Sequence, residues 1–204
     1  MGCSFSIPAQ LTVFDRCANL YNNNELKCKR WIPTSSSALA SRFSSYAKDV
    51  SAEKNDIFIE VGEVIDDVVC LPYIEGRITF CEVPEGCDAI SFWFSGCAMA
   101  KFKYEGKWYV CHISLHGAGN TYDCREYWNT FVRNRRDSGI ENIILFYPFT
   151  IASRSGLAMG IMDGSECRAF TADISPLNSE PIKPIETKEF PDSEVKKGAE
   201  AIIV

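Results

Sequence analysis

The tightest constraint in the sequence lies between Ala98 and Ser114, where two strand-like runs meet at a short turn signal. Ala98–Tyr104 and Lys107–Ser114 carry apolar and aromatic residues and flank Glu105-Gly106, a pattern that folds back as an antiparallel hairpin. Loop length fixes which residues of a hairpin face each other, and same-face neighbours differ by two positions. Just before the first run comes Ser91-Phe92-Trp93-Phe94-Ser95-Gly96-Cys97. The second run contains His112, and His116 follows it; these are the 2 histidines of the chain. A four-residue loop sets Cys97 directly opposite His112. A two-residue loop places it diagonal to both histidines, and a three-residue loop turns both to the other face. Two of these three closures bring a thiol and an imidazole within side-chain reach.

Such a pair has a direct chemical use. A free thiol, with a pKa of about 8.5, is mostly protonated at neutral pH, and a neighbouring imidazole converts it to a nucleophilic thiolate. The thiolate attacks an amide carbonyl, and the imidazolium then protonates the leaving ammonia or amine. Ser95-Gly96 lets the backbone turn sharply and point N–H groups at the developing oxyanion. Ser91, Asp88, Glu60 or a main-chain carbonyl can orient the imidazole, and the residues alone do not choose among them. The bland alternative is a buried cysteine that only packs. His112 and His116 would pair on a metal if they lay on a helix, but Trp108–Ser114 reads as strand, so no metal or organic cofactor is expected. Cys111 points to the opposite strand face and reads as core.

Composition sets the class. A chain of 204 residues, 46% hydrophobic and 24% charged, suits one globular domain with a sizeable core. A net charge of −6 argues against a nucleic-acid backbone as main partner. Arg133, Arg135 and Arg136 read as the basic end of a helix. The 10 cysteines include no C-x-x-C pair, so neither a zinc knuckle nor a redox motif is implied. Most read as buried small hydrophobes in a reducing compartment. No stretch approaches the roughly 20 apolar residues of a membrane span. The N-terminus lacks the basic start and apolar core of a signal peptide. Met1-Gly2-Cys3-Ser4-Phe5-Ser6 fits a short myristoylation pattern, with Gly2 and Cys3 as acceptors. It recurs by chance, and a membrane is not expected as a partner.

Along the chain, a strand is expected near Leu11–Phe14 and a turn at Asn22-Asn23-Asn24. Ser37 caps a helix through Leu39, Phe43 and Tyr46. Asp56–Val64 alternates until Gly62 and reads as a strand. Val68–Tyr73 and Arg77–Val83 read as a hairpin about Glu75-Gly76, and Ala89–Phe94 as the strand leading to Cys97. Asn120 to Asp123 reads as the cap of a helix through Trp128 and Phe131 that stops at Ser138-Gly139. Ile143–Tyr147 and Ala169–Ile174 are further strands. Residues 1–174 thus form a single domain. Residues 175–204, with Pro176, Pro181, Pro184 and Pro191 among Glu and Lys, form an extended tail on its surface. Strands and helices in loose order indicate an α/β domain of the mixed, α+β kind.

The segment Phe94-Ser95-Gly96-Cys97 resembles the Leu-Ser-Gly-Cys signature of bacterial toxins related to cytotoxic necrotizing factor and Burkholderia lethal factor. In that family the signature cysteine is followed, after a short hairpin, by a catalytic histidine at the end of the next strand. Cys97, Glu105-Gly106 and His112 repeat that order. The match covers roughly residues 91–114, with Phe94 in place of leucine and Ser91 at the offset where the lethal factor carries a site threonine. The resemblance implies a sandwich of mixed β-sheets with surrounding helices. It also implies hydrolytic deamidation of one glutamine in a host protein, either a Rho-type GTPase or a translation-initiation helicase. Cys97 would be the nucleophile, His112 the base and then acid, Ser91 the orienting group, and Ser95-Gly96 the oxyanion turn. Such a protein is made in a bacterial cytoplasm and acts, as a monomer by default, in the host cytosol. His116 has no counterpart in the family.

Overall fold

The Glu105-Gly106 turn closes with two residues, both at positive φ (49° and 81°), the geometry that matches the twist of the strands it joins. It links β6 (Ala98–Tyr104) to β7 (Lys107–Ile113), pairing Tyr104 with Lys107 and Met99 with His112. In the computed structural model the described residues are 37–48, 56–65, 67–115, 123–151, 157–163, 166–173 and 183–204. The expected features at Gly2, Cys3, Leu11–Phe14, Asn22–Asn24 and His116 lie outside them.

The hairpin is the centre of a six-stranded sheet. Its neighbours are β4 (Ile78–Val83) and β1 (Phe58–Glu60) on one side, and β8 (Ile140–Phe146) and β12 (Lys196–Lys197) on the other. A second six-stranded sheet has β5 (Asp88–Phe94) and β9 (Leu157–Asp163) at its centre. β3 (Val68–Leu71) and β2 (Glu63–Ile65) extend it beyond β5, and β10 (Glu166–Asp173) and β11 (Lys183–Phe190) beyond β9. The β1–β4 and β3–β5 pairs are parallel and the others antiparallel, so both sheets are mixed. Helices α1 (Ala38–Tyr46), α2 (Arg125–Arg133) and α3 (Arg135–Ser138) complete the mixed α+β sandwich that the sequence implies.

Strand alternation splits the core in two. Phe102, Tyr109 and Cys111 face Phe43 of α1 and Trp128 and Phe131 of α2. Met99 and Val110, on the opposite strand face, meet Leu71, Phe94 and Met162 of the second sheet. Phe43 is fully buried and packs edge-on against Phe80, Phe102, Tyr104 and Tyr109. Ser37 Oγ accepts the Ala40 N–H at 3.0 Å, the cap expected for α1.

Three expectations change. Val68–Leu71 and Ile78–Val83 do not form a hairpin, because residues 72–77 carry the chain from one sheet to the other. The single strand expected over Asp56–Val64 divides at Val61-Gly62 into β1 and β2, which belong to different sheets. Residues 183–204, expected to trail over the surface, supply β11 and β12 and bury Ala201 and Ile203 in the first core. Asn129 holds that end through both its amide atoms, donating to Ile203 O at 2.9 Å and accepting from Ile203 N at 2.7 Å. Helix α2 begins later than expected, at Arg125, with Asp123 Oδ1 accepting the Arg125 N–H at 2.8 Å.

Phe43→Ala removes the ring that joins α1 to the first sheet. It should cost about 3–5 kcal/mol in urea denaturation, whereas a loss under about 1 kcal/mol would contradict this packing.

Candidate functional site

The Ser95-Gly96-Cys97 segment is a corner between sheets: β5 ends at Phe94 in the second sheet and β6 begins at Ala98 in the first. Gly96 turns the corner at φ 129°, a conformation that residues with a Cβ rarely adopt. Ser95 and Gly96 are exposed while Cys97 is only 2% exposed. β5 carries one extra residue beside β9, since Ser91 faces Gly160 and Phe94 faces Ala158. This irregularity shifts the strand's alternation and turns Ser91 and Phe94 to the same side. There they meet His112, which reaches across from β7 of the other sheet.

His112 is buried, at 1% exposure. Its ring stacks on Phe94 with centroids 4.2 Å apart and planes within 5°, and it touches Tyr73 at 5.2 Å. Gly160 leaves room for this arrangement, since a Cβ there would come within 3.1 Å of the Phe94 ring and 2.8 Å of Met99 Sδ. His112 Nδ1 lies 2.7 Å from Ser91 Oγ, and Ser91 Oγ donates to Leu71 O, also at 2.7 Å. A carbonyl can only accept, so the single hydroxyl proton of Ser91 goes to Leu71. His112 Nδ1 must then carry the ring proton and donate it to Ser91. The other nitrogen, Nε2, is left with a bare lone pair. It is buried and makes no hydrogen bond among the described residues, which is costly unless the atom has a use.

Cys97 and His112 share one side of the hairpin, because the two-residue loop makes them diagonal. The thiol nevertheless bonds elsewhere. Leu115 N–H donates to Cys97 Sγ at 3.4 Å, and Sγ approaches Leu115 O at 3.7 Å. Burial pushes the Cys97 thiol up, the Leu115 amide opposes that, and the Asp123 carboxylate adds to it. Burial also drives the His112 imidazole down to about 3. The resting site thus holds a neutral thiol and a neutral imidazole, where the sequence suggested a thiolate formed in advance. Of the candidate orienting groups, Ser91 touches the imidazole and the Leu71 carbonyl stands behind it. Among the described residues, no three His, Cys, Asp or Glu side chains converge as a metal site.

Sequence reasoning missed Tyr73, Leu71 and Leu115 as neighbours of the site, and it placed Phe94 in the signature without foreseeing that it stacks on His112. Leu71 and Tyr73 are set there by a sheet crossing, Leu115 by the end of β7 and the Phe94 stack by the strand irregularity, none of which has a local sequence signature. No protein-family model and no curated protein matches the chain. A structural neighbour is the C-terminal domain of CNFy from Yersinia pseudotuberculosis, at 11% identity and a TM-score of 0.31. The match covers 62% of this chain and 64% of that domain, less than two thirds of its length. A likeness at that level bears on neither fold nor activity.

The neutral imidazole has a consequence for stability. An exposed imidazole titrates near about 6.5, so as pH falls the unfolded chain takes up the proton first. Stability tied to neutral His112 is complete above that value and is lost as pH falls toward about 3. Between neutral pH and about pH 5, wild type should lose about 1–2 kcal/mol more than His112→Gln in urea denaturation. Equal losses would contradict a buried, neutral His112.

Proposed function

We propose that this chain is a cysteine-dependent amidohydrolase that deamidates a glutamine side chain in a host protein. The observation that carries the reading is the buried His112, with its tautomer set by Ser91 and its Nε2 lone pair without a hydrogen bond among the described residues, on the same hairpin face as Cys97. The likeness of Phe94–Cys97 to the Leu-Ser-Gly-Cys toxin signature supports the same conclusion and points to a bacterial effector. Its substrate class would be Rho-type GTPases or a translation-initiation helicase, met in the host cytosol.

In this mechanism the Cys97 thiol rotates from Leu115 toward Nε2 and loses its proton to it as sulfur attacks the glutamine carboxamide. Ser91 holds the imidazole in the productive tautomer and shares the proton on Nδ1 while His112 is charged. Backbone N–H groups about Ser95, Gly96 and Cys97 receive the oxyanion. The imidazolium then protonates ammonia as it leaves, and water hydrolyses the thioester. Deamidation differs from peptide cleavage only in which amide is presented, and from transglutamination in whether water or an amine resolves the thioester.

A second reading, a non-catalytic binding protein with Cys97 as a core residue, draws on the 2% exposure of Cys97 and its raised thiol pKa. Mass spectrometry of a host-cell extract separates the two. Wild type should convert a specific glutamine to glutamate, Cys97→Ser should convert none, and Ser91→Ala should slow the reaction roughly a hundredfold. Cleaved peptide bonds would indicate a cysteine protease, and amine adducts a transglutaminase. Identical extracts from wild type and Cys97→Ser would leave the binding protein.

A further inference from the structure

We propose that Phe94 is a further catalytic residue whose ring face stabilises the imidazolium that His112 becomes while it holds the Cys97 proton. The proposal rests on the Cys97–His112 amidohydrolase reading. The two rings lie flat on one another, with centroids 4.2 Å apart and planes within 5°. Phe94 is fully buried and so is His112, so little water screens the contact. The other aromatic ring at the imidazole, Tyr73, is tilted by 52° with its centroid 5.2 Å away. Phe94 is the one that presents its face.

An aromatic ring is negative on its faces and positive at its edge, so neutral ring pairs favour offset or edge-on contact. Phe43 follows that rule in the other core, meeting Phe80, Phe102, Tyr104 and Tyr109 edge-on. A flat stack gains most when the partner ring carries positive charge. The contact therefore strengthens as the proton arrives on Nε2, and an interaction stronger in the transition state than at rest is one that raises the rate. Little else at the site favours that charge. Burial lowers the His112 pKa, no carboxylate among the described residues offsets it, and Ser91 Oγ meets only the Nδ1 end. The chain also makes room for the stack. The extra residue in β5 turns Phe94 to the side of Ser91, whose partner on β9 is Gly160. A Cβ on Gly160 would come within 2.7 Å of Pro148 Cγ, 2.8 Å of Met99 Sδ and 3.1 Å of Phe94 Cε2. Leucine, which the toxin signature carries in place of Phe94, would fill the space without offering a ring face.

The step balances with no added reactant other than water. The S–H proton passes to His112 Nε2 as the sulfur–carbon bond forms and the carbonyl π pair moves onto oxygen. The imidazole stays cationic until the carbon–nitrogen bond breaks and ammonia departs with that proton. Water then cleaves the thioester through the same imidazolium to give glutamate and the free thiol. Phe94 exchanges no atom or electron in either half.

The test grades the charge on the ring face without removing the ring. Phe94 is replaced by mono-, di- and trifluorinated phenylalanine, in wild type and in a His112→Gln background. Each fluorine draws charge from the face and changes the volume little. Two rates are read: glutamine-to-glutamate conversion in the extract protein that wild type modifies, and alkylation of Cys97 by iodoacetamide, which also requires the thiol to give up its proton. Both should fall stepwise in the wild-type background, to roughly three- to thirtyfold lower with the trifluorinated ring and about tenfold lower in Phe94→Leu. The thermal midpoint of the fluorinated proteins should stay at the wild-type value. In His112→Gln, alkylation should not change along the series. Equal rates along the wild-type series would overturn the proposal, as would the same fall in His112→Gln, which would make the ring only a support for the thiol. Alkylation that follows the fluorines while no glutamine is converted would support the charge role of Phe94 and overturn the amidohydrolase reading. A Cys97 that neither alkylates nor converts glutamine would overturn both.

Discussion

The hydrogen bond from His112 Nδ1 to Ser91 Oγ, 2.7 Å long and fully buried, joins the two sheets where the chain repeatedly crosses between them. Neither partner can be left alone there. A buried polar group without a partner costs about 1–3 kcal/mol, whereas a satisfied one fixes a single arrangement. The bond sets the end of β7 against the middle of β5, and through Ser91 it also binds the last residue of β3. Three crossings or strand ends, at Leu71–Tyr73, Phe94–Cys97 and Ile113–Leu115, are thereby brought to one place. The site is a product of the sandwich's closure.

The same closure explains why both reactive groups rest uncharged. Taking a thiolate and an imidazolium out of water together is costly unless each is well solvated by protein dipoles. The described surroundings of His112 are two aromatic rings and a hydroxyl, which solvate an imidazolium poorly. Burial of Cys97 outweighs the Leu115 amide that favours a thiolate, and the Asp123 carboxylate adds to burial. Proton transfer coupled to attack avoids the intermediate cost of a standing ion pair. It also protects a buried thiol from adventitious alkylation and oxidation, since the thiolate is the reactive form.

Much of the hairpin was legible in the sequence because its information is local. Glu105-Gly106 is a turn signal, and only three loop lengths had to be weighed. Choosing among them needed the positive φ values of both turn residues, which strand patterning alone does not specify. Glu75-Gly76 looks much the same in sequence but lies in a crossing, because β3 and β4 find their partners in β5 and β7, far along the chain. Long-range pairing of this kind leaves no local trace. Phe94 illustrates a subtler limit: simple alternation would turn it away from Ser91, and the extra residue in β5 reverses that. The C-terminal residues were hidden by composition, since prolines and charges mask a strand, and Ala201 and Ile203 are buried by packing on α2.

Nitrogen NMR of His112 in the unliganded protein at neutral pH reads the central feature without reference to any substrate. Ser91's commitment to Leu71 predicts a neutral ring protonated at Nδ1, with Nε2 bare and no change on acidifying to about pH 5. A ring protonated at Nε2, or an imidazolium at neutral pH, would mean that Nε2 is no acceptor for the Cys97 proton, and would contradict the account.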